Sequence, residues 1–116
     1  MREQFLKVAV YDFLDARRAA SGFLAEVTGK HLAVVSGHHW VDVMNPEASK
    51  GAALRELQRA LGVSREQTVV FGDYLNDLEM LDEAELSFAM ANAQPEVIER
   101  ARYLAPSNAE DGVVAV

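Results

Sequence analysis

Thr68-Val69-Val70-Phe71-Gly72-Asp73-Tyr74-Leu75-Asn76-Asp77 joins a short apolar run directly to a polar junction, and Leu78 and Leu81 follow at helical spacing. An uninterrupted apolar run bounded by glycine reads as a buried strand. A strand that passes straight into a helix is the joint of a parallel α/β sheet, and such sheets bind ligands at the carboxyl ends of their strands. Asp73, Asn76 and Asp77 are spaced three and four apart, so a helical first turn gathers them on one side while Leu75, Leu78 and Leu81 face the core. Two carboxylates and an amide then converge. Magnesium (Mg2+) is commonly held by one or two carboxylates, with water and substrate phosphate completing its shell. The Asn76 amide can donate to a phosphate oxygen. The competing reading is a solvated helix start, since Asp and Asn are favoured near helix N-termini for capping and dipole reasons alone.

The flanking sequence repeats the alternation of strand and helix. Downstream come a strand at Ser87-Phe88-Ala89-Met90, a helix opened by Pro95 that carries Val97, Ile98 and Ala101, and a strand at Tyr103-Leu104-Ala105. Upstream, Ser64-Arg65-Glu66-Gln67 is a capping-box pattern for a single turn. Before it, Ser49 caps a helix running to Leu61, with Leu54, Leu57 and Leu61 as its buried stripe and Gly62 as its stop. Strands alternating with helices predict an α/β fold, a parallel sheet with helices on its faces. Lys50 falls in the first turn of its helix, where the dipole disfavours a cation by about a few tenths of a kcal/mol. A lysine there makes sense beside a bound anion, and Gly51 next to it would let backbone amides approach that anion. An exposed lysine after a serine cap is the plainer alternative.

The first 45 residues read differently. Lys7-Val8-Ala9-Val10-Tyr11 is a strand, Asp15 an N-cap, and Ala16, Ala19, Ala20, Phe23, Leu24 and Val27 form a helical face that ends at Gly29. His31 to Ser36 and Trp40 to Met44 are strands joined by the tight turn Gly37-His38-His39, a hairpin. Asn45-Pro46-Glu47-Ala48 breaks the pattern, and a boundary is placed there, giving residues 1–45 and 46–116. His31, His38 and His39 sit at ordinary hairpin positions rather than as a ligand set. Trp40, Phe23 and Phe88 are expected to pack, and Glu79, Glu83 and Glu85 to be solvated.

Composition limits the classes of function. With Lys+Arg 11 against Asp+Glu 18 and a formal charge of -7, nucleic acid is not expected as a partner. There is no cysteine, so any metal is held by oxygen or imidazole, and a reducing, cytoplasmic setting is expected. The short, charge-interrupted apolar runs predict no membrane span and no export signal.

Four segments in order carry a resemblance: Ala48-Ser49-Lys50-Gly51-Ala52-Ala53-Leu54, Val70 to Leu81, Ser87-Phe88-Ala89-Met90-Ala91-Asn92-Ala93 and Ser107-Asn108-Ala109-Glu110-Asp111-Gly112-Val113. From about Lys7 to Val116 the chain resembles the C-terminal part of Cof-type (subfamily IIB) phosphatases of the haloacid dehalogenase superfamily. The resemblance implies a partial Rossmann-like core over 46–116 and the remnant of an α/β cap domain over 1–45. It also implies Mg2+ as cofactor and a small phosphorylated metabolite, such as a sugar phosphate, as substrate. By it Lys50 steadies the phosphoryl group and the nucleophile, Asn76 contacts phosphate, and Asp77 orients Asp73 and Lys50, which makes Lys50 and Asp77 the catalytic pair and Asp73 and Asp77 the metal residues.

That family's reaction begins with an aspartate in a D-x-D motif, and no such motif occurs in these 116 residues. The nearest pattern, Val8 to Asp15, has its aspartates at D-x-x-D, so the second carboxylate falls on the wrong residue. The chain alone is therefore expected to be inactive as a phosphatase. Two alternatives remain: an assembly module, pairing into a homo-oligomer through the open edge of the strand Thr68 to Phe71, or a rewired domain in which Lys7 to Tyr11 fills that vacant sheet position.

Overall fold

The computed structural model describes residues 6–22 and 30–116 and divides the chain into two compact units, residues 1–48 and 49–116. No helix among the described residues is long and apolar enough to cross a membrane.

In the first unit, β1 (Lys7–Tyr11) leads through the Asp15 cap into α1 (Ala16–Ser21), and β2 (Leu32–Gly37) and β3 (Trp40–Met44) follow. The Asp15 carboxylate accepts from Arg17 N at 2.8 Å, which satisfies one of the free amides of the first turn. The sheet order is β1-β3-β2, antiparallel throughout, with Tyr11 opposite Trp40 and Lys7 opposite Met44. β2 and β3 form the expected hairpin, with an irregularity between Val35 and Gly37 where the turn begins. Ala16, Ala19 and Val41 are buried together, with Val10, Ala33 and Val35 packed on them. β1 is thus the edge of this antiparallel sheet, and the alternative that it fills a position in the parallel sheet is overturned. The positions Phe23, Leu24, Val27 and Gly29 lie outside the described residues. Trp40 is partly exposed and meets Tyr11 edge to face at 4.9 Å.

The second unit runs α2 (Lys50–Leu61), β4 (Val69–Gly72), α3 (Leu78–Asp82), β5 (Leu86–Met90), α4 (Pro95–Arg100), β6 (Tyr103–Ala105) and α5 (Gly112–Ala115). β4, β5 and β6 pair in that order and all in parallel, with Gly72 opposite Ala89 and Met90 opposite Ala105. Val70, Leu81, Ala84, Ala89 and Val97 form the core, and Leu54, Leu78, Met80, Ala93 and Ala101 close over it. Burial alternates along the strands: Val70, Gly72, Ser87 and Ala89 are buried, while Val69 and Leu86 are exposed. One face of the sheet therefore carries the core. The other presents a ladder of rings, Phe71 on Phe88 at 5.1 Å and Phe88 on Tyr103 at 5.2 Å.

Three expectations are corrected in this unit. α2 does not bury Leu57 and Leu61, which are 54% and 65% exposed; its buried residues are Gly51 and Gln58, with Leu54 between them. Gln58 takes the interior because its Nε2 donates to both Thr68 Oγ1 and the Glu83 carbonyl at 2.9 Å, so both of its amide protons are used. The helical first turn expected at the polar junction is instead a 3-10 turn, Leu75–Asp77, before α3 begins. Glu83 and Glu85 are ion-paired, to Arg55 and to Arg102, rather than simply solvated.

Candidate functional site

The carboxyl ends of β4, β5 and β6 are tied together by their loops. Gln94 N donates to the Asp73 carbonyl at 2.9 Å, Ala91 N to the Ala105 carbonyl at 2.9 Å, and Asn108 N to Asn92 Oδ1 at 3.0 Å. The three loops thus form a fixed rim where a parallel sheet offers a ligand site.

Asp77 organises that rim. Its side chain is 3% exposed, and Oδ2 accepts from the amides of Asp73 at 3.0 Å and Tyr74 at 3.3 Å. Its own amide donates back to the Tyr74 carbonyl at 3.0 Å, which accounts for the tight 3-10 geometry of the turn. Its other oxygen, Oδ1, is hydrogen-bonded and ion-paired to Lys50 Nζ. Burial is the largest single influence on Asp77 and pushes its pKa up. The Lys50 hydrogen bond, the Asp73 amide, the Lys50 charge and the Tyr74 amide together outweigh it and hold the carboxyl below its ordinary value. Asp77 is therefore an anion at neutral pH although buried.

Gly72 makes this possible. A Cβ there would stand 2.9 Å from Asp77 Cβ, so only glycine lets the carboxylate fold back beneath the end of β4.

The sequence-predicted residues fall as follows. Lys50 lies at the start of α2, capped by Ser49, whose Oγ accepts from Ala52 N at 3.1 Å. Its anion is the Asp77 carboxylate. Asp73 is exposed, and its carboxylate takes no hydrogen bond or ion pair among the described residues. Asn76 lies half-buried in the same turn. At Gly51 the space a side chain would take is filled by the backbone and Cβ of Glu79 in α3. Gln94 and Asn92, which tie the rim, are not among the residues expected there; Asn92 acts through its side chain and its polarity after the apolar β5 is a usable signal, whereas Gln94 acts through its backbone amide and leaves none.

Among the described residues no group of three or more His, Asp or Glu is gathered for a metal. The donor set does suit magnesium in its usual mode, one free protein carboxylate with water and phosphate supplying the rest. Asp73 has a carboxylate available for that role, whereas both oxygens of Asp77, the other carboxylate expected at the metal, already accept hydrogen bonds. In the first unit, Asp12 Oδ1 accepts from Leu14 N at 2.7 Å and Asp15 N at 2.8 Å, and those backbone bonds hold its pKa below the ordinary value. Asp12 thus serves a turn. His39 Nδ1 bonds the Asp12 carbonyl at 2.9 Å and belongs to the same turn.

A family model described as haloacid dehalogenase-like hydrolase matches residues 2–116. The chain is 42% identical over 85 residues to the 5-amino-6-(5-phospho-D-ribitylamino)uracil phosphatase YbjI of Escherichia coli strain K12, covering 73% of this chain and 31% of that protein. It is 46% identical over 65 residues to the phosphatase of the same description, YcsE, of Bacillus subtilis strain 168, covering 56% and 26%. The solved structure of SMU.1108c from Streptococcus mutans UA159 matches with a TM-score of 0.84 at 30% identity, over 99% of this chain and 44% of that one. The chain spans roughly a third of the length of the curated relatives it matches.

Proposed function

This chain belongs to the haloacid dehalogenase-like hydrolase family, and on that premise we propose that residues 46–116 are the C-terminal half of a magnesium-dependent phosphatase core, with residues 1–45 the end of its cap domain. The substrate class is a small phosphomonoester, a sugar phosphate or a compound like the ribityl phosphate in the names of YbjI and YcsE. The observation that supports this reading is the relay Lys50–Asp77–Asp73 at the carboxyl end of β4.

In that role Lys50 places its ammonium against a phosphoryl oxygen, and Asp77 keeps it aimed. Asp77 also fixes the backbone of Asp73, so that the free Asp73 carboxylate faces the ligand as the magnesium-holding group. Asn76 supplies an amide donor for phosphate. Bound magnesium would neutralise charge on the phosphoryl group. The covalent step is assigned to no residue of this chain, because it contains no D-x-D motif and Asp12 is committed to its turn.

Titrating the 15N-labelled chain with magnesium and inorganic phosphate together should shift the amides of Lys50, Asp73 and Asn76, and Asp73→Asn should remove the magnesium requirement. Shifts confined to other residues would overturn the assignment. A second reading, pairing into a homo-oligomer, is favoured by the position of β4 at the edge of its sheet and the exposure of Val69. Gel filtration decides it: a dimer that grows with concentration supports pairing, and a monomer throughout ends it.

A further inference from the structure

Glycine is a poor helix former, yet Gly51 occupies the first turn of α2 and is buried. Its neighbourhood explains this. A Cβ at residue 51 would stand 2.8 Å from Glu79 Cβ and 2.9 Å from both the carbonyl carbon and oxygen of Glu79. Ordinary carbon contacts sit at about 3.5–4.0 Å, so any side chain at this position forces the two helices apart by more than about half an ångström. Two of the three contacts are backbone and cannot rotate away.

The location of this contact gives it a consequence. On one side it adjoins Lys50, on the other it lies two residues from Asp77, and Lys50 and Asp77 form the ion pair of the site. It is thus a helix–helix contact next to Lys50 in sequence and two residues from Asp77, so a shift at residue 51 moves the start of α2 that carries Lys50. Gly72 performs the matching service from the strand, leaving room for Asp77 itself.

We propose that Gly51 is a positioning residue: by letting α2 rest directly on the Glu79 backbone, it sets the placement of Lys50 on Asp77. The functional meaning of this rests on the phosphatase reading above, whereas the geometric claim does not. Lysine is long and flexible, so the pair could in principle re-form after a small shift. The proposal states that it does not re-form with the same strength, because Asp77 is buried and pinned by two amides and cannot follow.

The test is a double-mutant cycle of Lys50→Met and Asp77→Asn by urea unfolding of the full chain, run in the wild-type background and again in Gly51→Ala. The cycle cancels the helix-propensity gain of alanine and any general packing loss. The expected result is a clear coupling in the wild type that falls by about half or more in Gly51→Ala. Equal coupling in both backgrounds, with only overall stability changed, would reduce Gly51 to a packing role and overturn the proposal, as would no coupling in the wild type. If Gly51→Ala does not fold, Gly51→Ala/Glu79→Gly removes the side-chain part of the clash and leaves the backbone part. There too the coupling must drop, and an unchanged value sinks the idea. Failure of the phosphatase reading would show instead as silence in the magnesium and phosphate titration, leaving this cycle unaffected.

Discussion

Asp77 carries a charge in a place that disfavours charge, and the Lys50 hydrogen bond is the largest of the influences that offset burial. Removing the ammonium by Lys50→Met leaves the carboxylate with two amide bonds only, and should cost about 1–3 kcal/mol at neutral pH, less than a fully buried pair because Lys50 is half exposed. The pH dependence has a defined sign. A carboxyl whose folded pKa is lowered contributes stability that is present above its unfolded pKa and is lost as pH falls through the folded one. The stability gap between wild type and Lys50→Met should therefore be largest near neutrality and shrink as the solution is acidified below the ordinary carboxylate range. Urea midpoints from pH 7 down to pH 3 test this, and a gap that widens on acidification would contradict it. At this scale the sequence was informative about identity and less so about connection. Asp73, Asn76, Asp77 and Lys50 stand out by residue type and spacing, and the fold joins Lys50 to Asp77 and Asp77 to the Asp73 amide. That Asp77 supplies an anion beside Lys50 does not show in the sequence, because residues 27 apart meet only through the fold.

α2 shows where periodicity misleads at the scale of an element. Leu54, Leu57 and Leu61 look like a buried stripe, yet the helix turns Gly51, Leu54 and Gln58 inward. Hydrophobicity alone could not reveal that a glutamine would be fully hydrogen-bonded between Thr68 and Glu83, or that Gly51 would allow close approach to α3. Replacing Gln58 with Leu should accordingly destabilise the chain by about 1–3 kcal/mol despite the gain in apolar surface, because the Glu83 carbonyl loses its side-chain donor. Thermal unfolding of Gln58→Leu measures it, and an increase in midpoint would show that the apolar stripe had been the better reading. Strands were legible to within a residue or two, because short apolar runs between turn residues have few other fates. The 3-10 turn from Leu75 to Asp77 looks helical in the sequence because neither its Asp77–Tyr74 backbone bond nor the Asp77 side-chain bonds beside it leave a periodic trace.

For the whole molecule, the family and the parallel order of β4, β5 and β6 were both within reach of the sequence, since strand and helix alternate after residue 48 and four motifs follow in register. The open face of the sheet was less so: the strand ending in Gly72 reads as continuously apolar, but only alternate residues are buried. The account as a whole holds that these 116 residues contain a pre-assembled electrostatic clamp and no attacking carboxylate. The most direct measurement is phosphate release by the isolated chain over a panel of sugar and ribityl phosphates, with and without magnesium. The account predicts background rates in every case, while magnesium-dependent turnover that disappears in Asp12→Asn would contradict it.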